Sequence, residues 1–216
     1  MLSKEEKKEI LFDSGVIGVV RVSESEGMLK TVRALKKGGV KCIEIAMTTP
    51  GALSLIKDVS NKLDDVLVGA GTVLDSETAK SAINAGAEYL VSPTIDFDMI
   101  EIAQRYGKLV APGAFTPTEI MKAWQAGADI VKVFPASRLG PTYLSDLKAP
   151  LPQVSLMPTG GVTKENADDF VEAGAEVVCV GSALIDEKSI KQGNFEQIIK
   201  NAQNIVNAVN KGKENR

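Results

Sequence analysis

The sequence predicts an α/β fold, a (β/α)8 TIM barrel preceded by an N-terminal helix, and three observations carry that prediction. Four segments begin alike, with glycine, a small residue and an apolar run of strand length: "GGVKCIEIA" from 38, "GAEYLVSP" from 86, "GADIVKVFP" from 127 and "GAEVVCVGS" from 174. Each follows a helix-like stretch, such as "MLKTVRALKK" or "PTEIMKAWQA", so that glycine ends one helix and opens the next strand. Four further apolar runs alternate with these, "VIGVVRV" (16–22), "VLVGAGTV" (66–73), "KLVAPGA" (108–114) and "VSLMPTGGV" (154–162), which brings the strand count to eight. Strands separated by single helices favour a parallel sheet with right-handed crossovers, and eight units in 216 residues fit a compact closed barrel in one domain, 1–216. An open doubly wound sheet is the alternative. Against it, no Gly-x-Gly-x-x-Gly turn follows the first strand, where "VVRVSESEG" stands.

Taken in order, the N-terminal "MLSKEEKKEI" alternates charges where a secretory signal would need an apolar core, and no apolar run approaches the roughly 18 residues of a membrane span. A cytoplasmic protein is the expectation. The first strand carries Arg21 near its end, the second holds Glu44, the third ends in "GAGTV" with Thr72 and the fourth in "VSP" with Pro93. After the fifth strand, "APGAFTPTE" reads as a shaped loop with Thr116 capping a helix that starts at Pro117. The sixth strand holds Lys132, the seventh and eighth end in "PTGGV" and "VGSAL", and the tail "NKGKENR" is expected to fray.

Composition narrows the function. An apolar fraction of 44% and a charged fraction of 25% suit an ordinary globular protein, and a net charge of −3 argues against nucleic acid or an anionic membrane as partner, leaving small solutes. Cys42 and Cys179 lie in apolar runs and read as buried reduced thiols. The chain has no histidine, which excludes His-based triads and most catalytic zinc sites. Proton transfer then falls to Glu, Asp, Lys, Tyr or water, with no metal or cofactor required.

Barrel strands are nearly all apolar, so charges in their middles are the informative exceptions. Arg21, Glu44 and Lys132 qualify, whereas Lys41, Glu88, Asp129 and Glu176 stand at strand starts and read as solvated rim charges. Glu44 and Lys132 belong to the second and sixth strands, and alternate strands supply the layers of such a barrel, so the two share a layer. A structural ion pair is one reading. The other is chemistry: a lysine dried by Val131, Val133 and Phe134 attacks a ketone as the free amine, the iminium withdraws electrons from the adjacent carbon, and Glu44 moves protons.

"PTGGV" and "VGSAL" put Gly160, Gly161, Gly181 and Ser182 on the last two loops, where glycine lets backbone N–H groups and a helix start approach an anion, so a phosphorylated substrate is expected. Thr72 offers a hydroxyl for a carboxylate or carbonyl, or a helix cap; Pro93 shapes the wall.

Taken together, "IEIAMTTP", "VGAGTV", "EYLVSP", "APGAFTPTE", "VKVFPAS", "MPTGGV" and "VGSAL" resemble the class I aldolases that cleave 2-dehydro-3-deoxy-6-phosphogluconate, also described as 4-hydroxy-2-oxoglutarate aldolases. The resemblance implies that Lys132 forms a Schiff base, Glu44 is the acid and base, Thr72 meets the pyruvate carboxylate, and Pro93 and Phe134 line the pocket. It assigns Thr159, Gly160, Gly161, Gly181 and Ser182 to the phosphate, and implies a homotrimer. Some members carry arginine where this chain has Thr48, which binds a carboxylate less strongly; Arg21 is the candidate substitute for that charge, or else a strand-end residue. The expected reaction yields pyruvate and glyceraldehyde 3-phosphate, with cleavage of 4-hydroxy-2-oxoglutarate as a second activity. The alternatives are the galactonate epimer as substrate, or a non-catalytic sugar-phosphate-binding barrel. A metal-dependent epimerase would need histidine ligands.

Overall fold

The computed structural model describes residues 2–22 and 27–216, and of Glu187 only the backbone. Helix α1 (Lys4–Ser14) starts on a capping box, in which the Ser3 hydroxyl accepts the Glu6 N–H and the Glu6 carboxylate accepts the Ser3 N–H. Two of the N–H groups that a helix start leaves unmatched are thereby satisfied. The chain then runs through β1 (Val16–Val20), α2 (Met28–Lys37), β2 (Cys42–Ala46), α3 (Ala52–Lys62), β3 (Leu67–Gly71), α4 (Ser76–Ala85), β4 (Tyr89–Val91), α5 (Phe97–Arg105), β5 (Leu109–Ala111) and β6 (Gly113–Ala114). The second half is α6 (Pro117–Gln125), β7 (Val131–Val133), α7 (Gly140–Lys148), β8 (Leu156–Pro158), α8 (Ala167–Glu172), β9 (Val178–Val180), α9 (Glu187–Lys191) and α10 (Phe195–Asn215). Thr116 caps α6 in a second capping box with Glu119.

The repeated glycines do what their positions predict. Gly39, Gly86, Gly127 and Gly174 have φ of +97°, +109°, +92° and +108°, a region that residues with a Cβ enter only under strain, and each turns a helix into the following strand.

Every strand pairing is parallel, in one sheet ordered β5-β4-β3-β2-β1-β9 and a second ordered β6-β7-β8. The result is an α/β fold with a six-stranded half-barrel sheet beside a three-stranded one. The predicted fifth strand is two pieces, because Pro112 has no N–H to donate to a ladder. On one side of it β5 pairs with β4, and on the other β6 pairs with β7, while the Pro112 carbonyl accepts the Lys132 N–H at 2.9 Å. At the opposite margin the Glu176 N–H donates to the Leu156 carbonyl at 3.1 Å, and Thr159 forms an isolated bridge with Cys179.

Because strand side chains alternate faces, the core has two layers. Ile17, Cys42, Leu67, Tyr89, Ile130 and Met157 form an inner cluster; Val20, Ile43, Val68, Leu90, Val133 and Val180 face the helices. Leu11 of α1 is 2% exposed and joins the inner cluster, so α1 lies across the strand starts as a floor.

That floor corrects two expectations. Glu88, Asp129 and Glu176 are not solvated rim charges: Glu88 takes Lys7 at 2.6 Å and Lys108 at 2.8 Å, Asp129 takes Lys4 at 2.9 Å, and Glu176 takes Lys148 at 2.9 Å. Helices packed over the strand ends bring cations to carboxylates that would otherwise lose their water. Lys41 is exposed, as expected. Nor does the tail fray. Helix α10 continues to Asn215, Lys213 donates to the carbonyls of Phe12 and Asp13, and Asn215 donates to Glu172, so tertiary hydrogen bonds hold what terminal position alone would leave loose. Among the described residues, no helix is long and apolar enough to cross a membrane.

Candidate active site

Glu44 stands at the centre of β2 and Lys132 at the centre of β7, 1% and 4% exposed. Each lies two residues beyond an inner-cluster side chain, Cys42 and Ile130, so both point inward. The same alternation sends Val131 and Val133 outward into the helix-facing layer. They do not dry the Lys132 amine. Its immediate cover is the Phe134 ring, whose centroid lies 4.9 Å from Nζ.

Cys179 on β9 is within electrostatic reach of both groups. Its thiol donates to Glu44 Oε2 at 3.4 Å, and burial first, then Glu44, push its pKa well up while Lys132 pulls it down. Among the described residues no ion pair joins Lys132 to Glu44, so the structural ion pair left open by the sequence is not formed. Both cysteines are free and buried, and burial pushes the Cys42 thiol up to about 12.

Strand β3 makes the room. Gly69 is in register with Glu44 on one side and with Tyr89 on the other. A Cβ at Gly69 would overlap the Tyr89 ring, and a Cβ at Gly71 would overlap Glu44 Oε1. Two glycines one pleat apart thus let a phenol and a carboxylate lie over the strand backbone. Thr72 follows at φ +55°, the single positive φ outside glycine among the described residues, and a costly one for a β-branched side chain. It does not cap α4, whose cap is Asp75 accepting the Thr78 N–H.

At the C-terminal ends of the strands, a cavity of about 500 Å³ is lined by Arg21, Phe134, Thr159, Gly160, Gly161, Gly181, Ser182 and Asp186, with Val19 and Cys179 at its base. The site residues expected on the last two loops therefore meet in one place. Gly160 and Gly161, at φ +89° and +79°, turn the β8 loop, and Asn166 braces it by donating to the Gly161 carbonyl at 3.0 Å. Among the described residues the N–H groups of Gly160, Gly161 and Ser182 donate to no acceptor. On the β9 loop Gly181 opens a turn, its carbonyl accepting the Leu184 and Ile185 N–H groups, and α9 begins at Glu187 with its cap residue, Asp186, on the cavity lining. Pro93 and Phe134 share a smaller neighbouring hollow of about 360 Å³. Thr48 is exposed on the turn after β2 and does not line the larger cavity.

The family comparison is decisive. Residues 8–201 match the KDPG and KHG aldolase family, where the letters stand for 2-dehydro-3-deoxy-phosphogluconate and 4-hydroxy-2-oxoglutarate. The chain belongs to that family. This aldolase, a lyase of the class I type, is 35% identical over 195 residues to the 2-dehydro-3-deoxy-phosphogluconate aldolase of Treponema pallidum, covering 90% of this chain and 93% of the relative. It is also 35% identical over 171 residues to the 2-dehydro-3-deoxy-6-phosphogalactonate aldolase of Escherichia coli, covering 78% and 83%. Among solved structures it superimposes with a TM-score of 0.85, at 28% identity over 92% of this chain and 97% of the other, on a KDPG aldolase from Legionella pneumophila with pyruvate captured as a covalent carbinolamine intermediate.

Sequence reasoning did not single out Gly69, Gly71, Tyr89 or Asp186. Of these the aldolase's glycines carried a readable signal, since glycine at alternate positions inside a strand marks a close approach. The identity of what approaches required the register.

Proposed function

We propose that this aldolase cleaves 2-dehydro-3-deoxy-6-phosphogluconate to pyruvate and glyceraldehyde 3-phosphate through a Schiff base on Lys132. One observation carries the reading: two buried ionisable side chains, a carboxyl and an amine, face the interior without pairing, beside a cavity whose lining presents unengaged N–H groups. Buried ionisable groups are ordinarily paired, so leaving these apart is a cost that chemistry explains and packing does not.

In the forward direction the Lys132 amine adds to the C2 ketone, and loss of water leaves an iminium. Glu44 takes the C4 hydroxyl proton, the C3–C4 bond breaks, and its electrons pass into the iminium to give an enamine as the aldehyde leaves. Glu44 returns a proton to C3, and water hydrolyses the iminium to release pyruvate and restore the amine. The backbone strain at Thr72 supports its assignment to the substrate carboxylate, since a strained residue persists where the surroundings require its side chain in one place. Arg21, on the cavity wall where Thr48 is not, supplies the cation. Thr159, Gly160, Gly161, Gly181 and Ser182 receive the phosphate through loop N–H and hydroxyl groups beside the Phe134 ring.

The two sheets act as one closed (β/α)8 ring within a single domain, 1–216, a reading supported by the shared β5–β6 run and by the hydrogen bonds between β8 and β9. A homotrimer is supported by the exposed apolar side chains of Leu74, Phe97, Phe115 and Trp124. Relatives named for both epimer series make the galactonate compound the second substrate to test, and the KHG activity the third. The deciding experiment for the mechanism is reduction with borohydride in the presence of pyruvate: a mass increase mapped to Lys132 supports it, and an unmodified Lys132 in active protein rejects it.

A further inference from the structure

We propose that Tyr89 is a positioning residue for Glu44, holding that carboxylate from beneath through one internal water and so setting the pH at which Glu44 accepts a proton. The inference rests on the Glu44 and Lys132 chemistry above and deepens it. Tyr89 is 2% exposed, and its hydroxyl is the one buried side-chain nitrogen or oxygen without a hydrogen-bond partner among the described residues. An unsatisfied buried hydroxyl is costly, and phenylalanine would fill the same space without one.

The strand register says where that hydroxyl acts. Tyr89 and Glu44 flank the same Gly69 from opposite sides; the ring lies over Gly69 and the carboxylate leans one pleat further, over Gly71, a step of about 7 Å. No direct bond joins them, and a polar pair beyond direct reach is bridged by water where enough partners converge. The polar groups within electrostatic reach of the Tyr89 hydroxyl are the Cys42 thiol, the Glu44 carboxylate and the Cys179 thiol that already donates to Glu44. Cys42 and Glu44 come from β2 and Cys179 from β9, and Lys132 of β7 acts on the Cys179 thiol. From α1, β3, β5 and β8 the inner side chains are Leu11, Leu67, Leu109 and Met157, and the Lys7–Glu88–Lys108 cluster lies at the strand starts. Burial first, then Cys42, Glu44 and Cys179, hold the phenol well above its ordinary pKa, so it remains a donor throughout the working range. A donor hydrogen-bonded to a carboxylate, directly or through water, favours the charged, proton-accepting form.

The test compares wild type, Tyr89→Phe and Glu44→Gln by exchange of pyruvate methyl protons in deuterated water across the acid and neutral range, alongside borohydride trapping and Tm. Tyr89→Phe is expected to keep trapping while its acid limb moves up by about one unit, an exchange rate about tenfold lower on that limb. An unmoved limb with wild-type exchange and a raised Tm overturns the proposal, because the hydroxyl would then be only a tolerated defect. If Glu44→Gln exchanges as fast as wild type, the Glu44 reading fails and this inference with it; slow exchange in Glu44→Gln beside normal Tyr89→Phe sinks the inference alone. Should Tyr89→Phe not fold, a difluorotyrosine placed at position 89 is a stronger donor that keeps the ring, and must move the limb down; an unmoved limb again overturns the proposal.

Discussion

The two ends of the strands use the same residue types to opposite purposes. At the starts, Glu88, Asp129 and Glu176 each meet at least one lysine within 3 Å, and Glu176 also has Arg216 at 3.5 Å. In the interior toward the other end, Glu44 and Lys132 are more deeply buried than those carboxylates, yet remain unpaired with each other. Burial therefore does not distinguish a structural charge from a chemical one here. Pairing does, because an ion pair spends on the protein the interaction that substrate would otherwise receive.

The sharpest way to break this contrast is Lys132→Ala. It should lower kcat/KM about 10,000-fold or more, the scale of deleting a covalent nucleophile, and abolish the borohydride adduct, with little change in Tm. Glu44→Gln should cost about 100- to 10,000-fold in turnover while still trapping pyruvate; equal loss of trapping would move Glu44 from proton carrier to support for the amine. Gly71→Ala tests the room made for that carboxylate. Its methyl group displaces Glu44 Oε1, so a loss of about 100-fold is expected from misplacement alone, read as a fall in kcat with the adduct retained.

At the floor the expected changes reverse. Lys7→Met leaves Glu88 its Lys108 partner, so stability should fall by about 1–2 kcal/mol, a Tm loss of a few degrees, with activity per folded molecule unchanged. The smallest effect is in pH dependence. Burial by itself would raise Glu88, but its bonds to Lys108 and Lys7 outweigh that and hold its pKa below the ordinary value. A carboxylate lowered in the folded state contributes its stability in full above the unfolded pKa of about 4.3 and loses it as pH falls through the folded value. Urea midpoints of wild type and Glu88→Gln should therefore differ at neutral pH and converge in acid; a constant gap would show that the ion pairs are not the source.

Much of this was legible in the chain because it is local. The helix–glycine–strand repeat is written within some twenty residues, and Glu44 and Lys132 declare themselves as charges inside apolar runs. What escaped is what depends on partners far along the chain. Glu88 draws Lys7 from α1, and Lys213 of α10 reaches back to Phe12, so neither the paired floor nor the ordered tail can be inferred from neighbours in sequence. Val131 and Val133 misled because proximity in sequence is not proximity in space: adjacent strand residues face opposite ways, and the cover of Lys132 comes from Phe134, two residues on. Gly69 and Gly71 were visible as glycines, but their meaning lay in the flanking strands.

The clasp between Lys213 and the carbonyls of Phe12 and Asp13 has a consequence for a chain made from one end to the other. The first strand finds one lateral neighbour early, in β2, and its other neighbour is β9, the last strand to be synthesised. Helix α1 likewise waits for Lys213 of α10 before its C-terminal carbonyls are met. A polypeptide arrested before its last helix therefore leaves its beginning, as well as its end, unsecured.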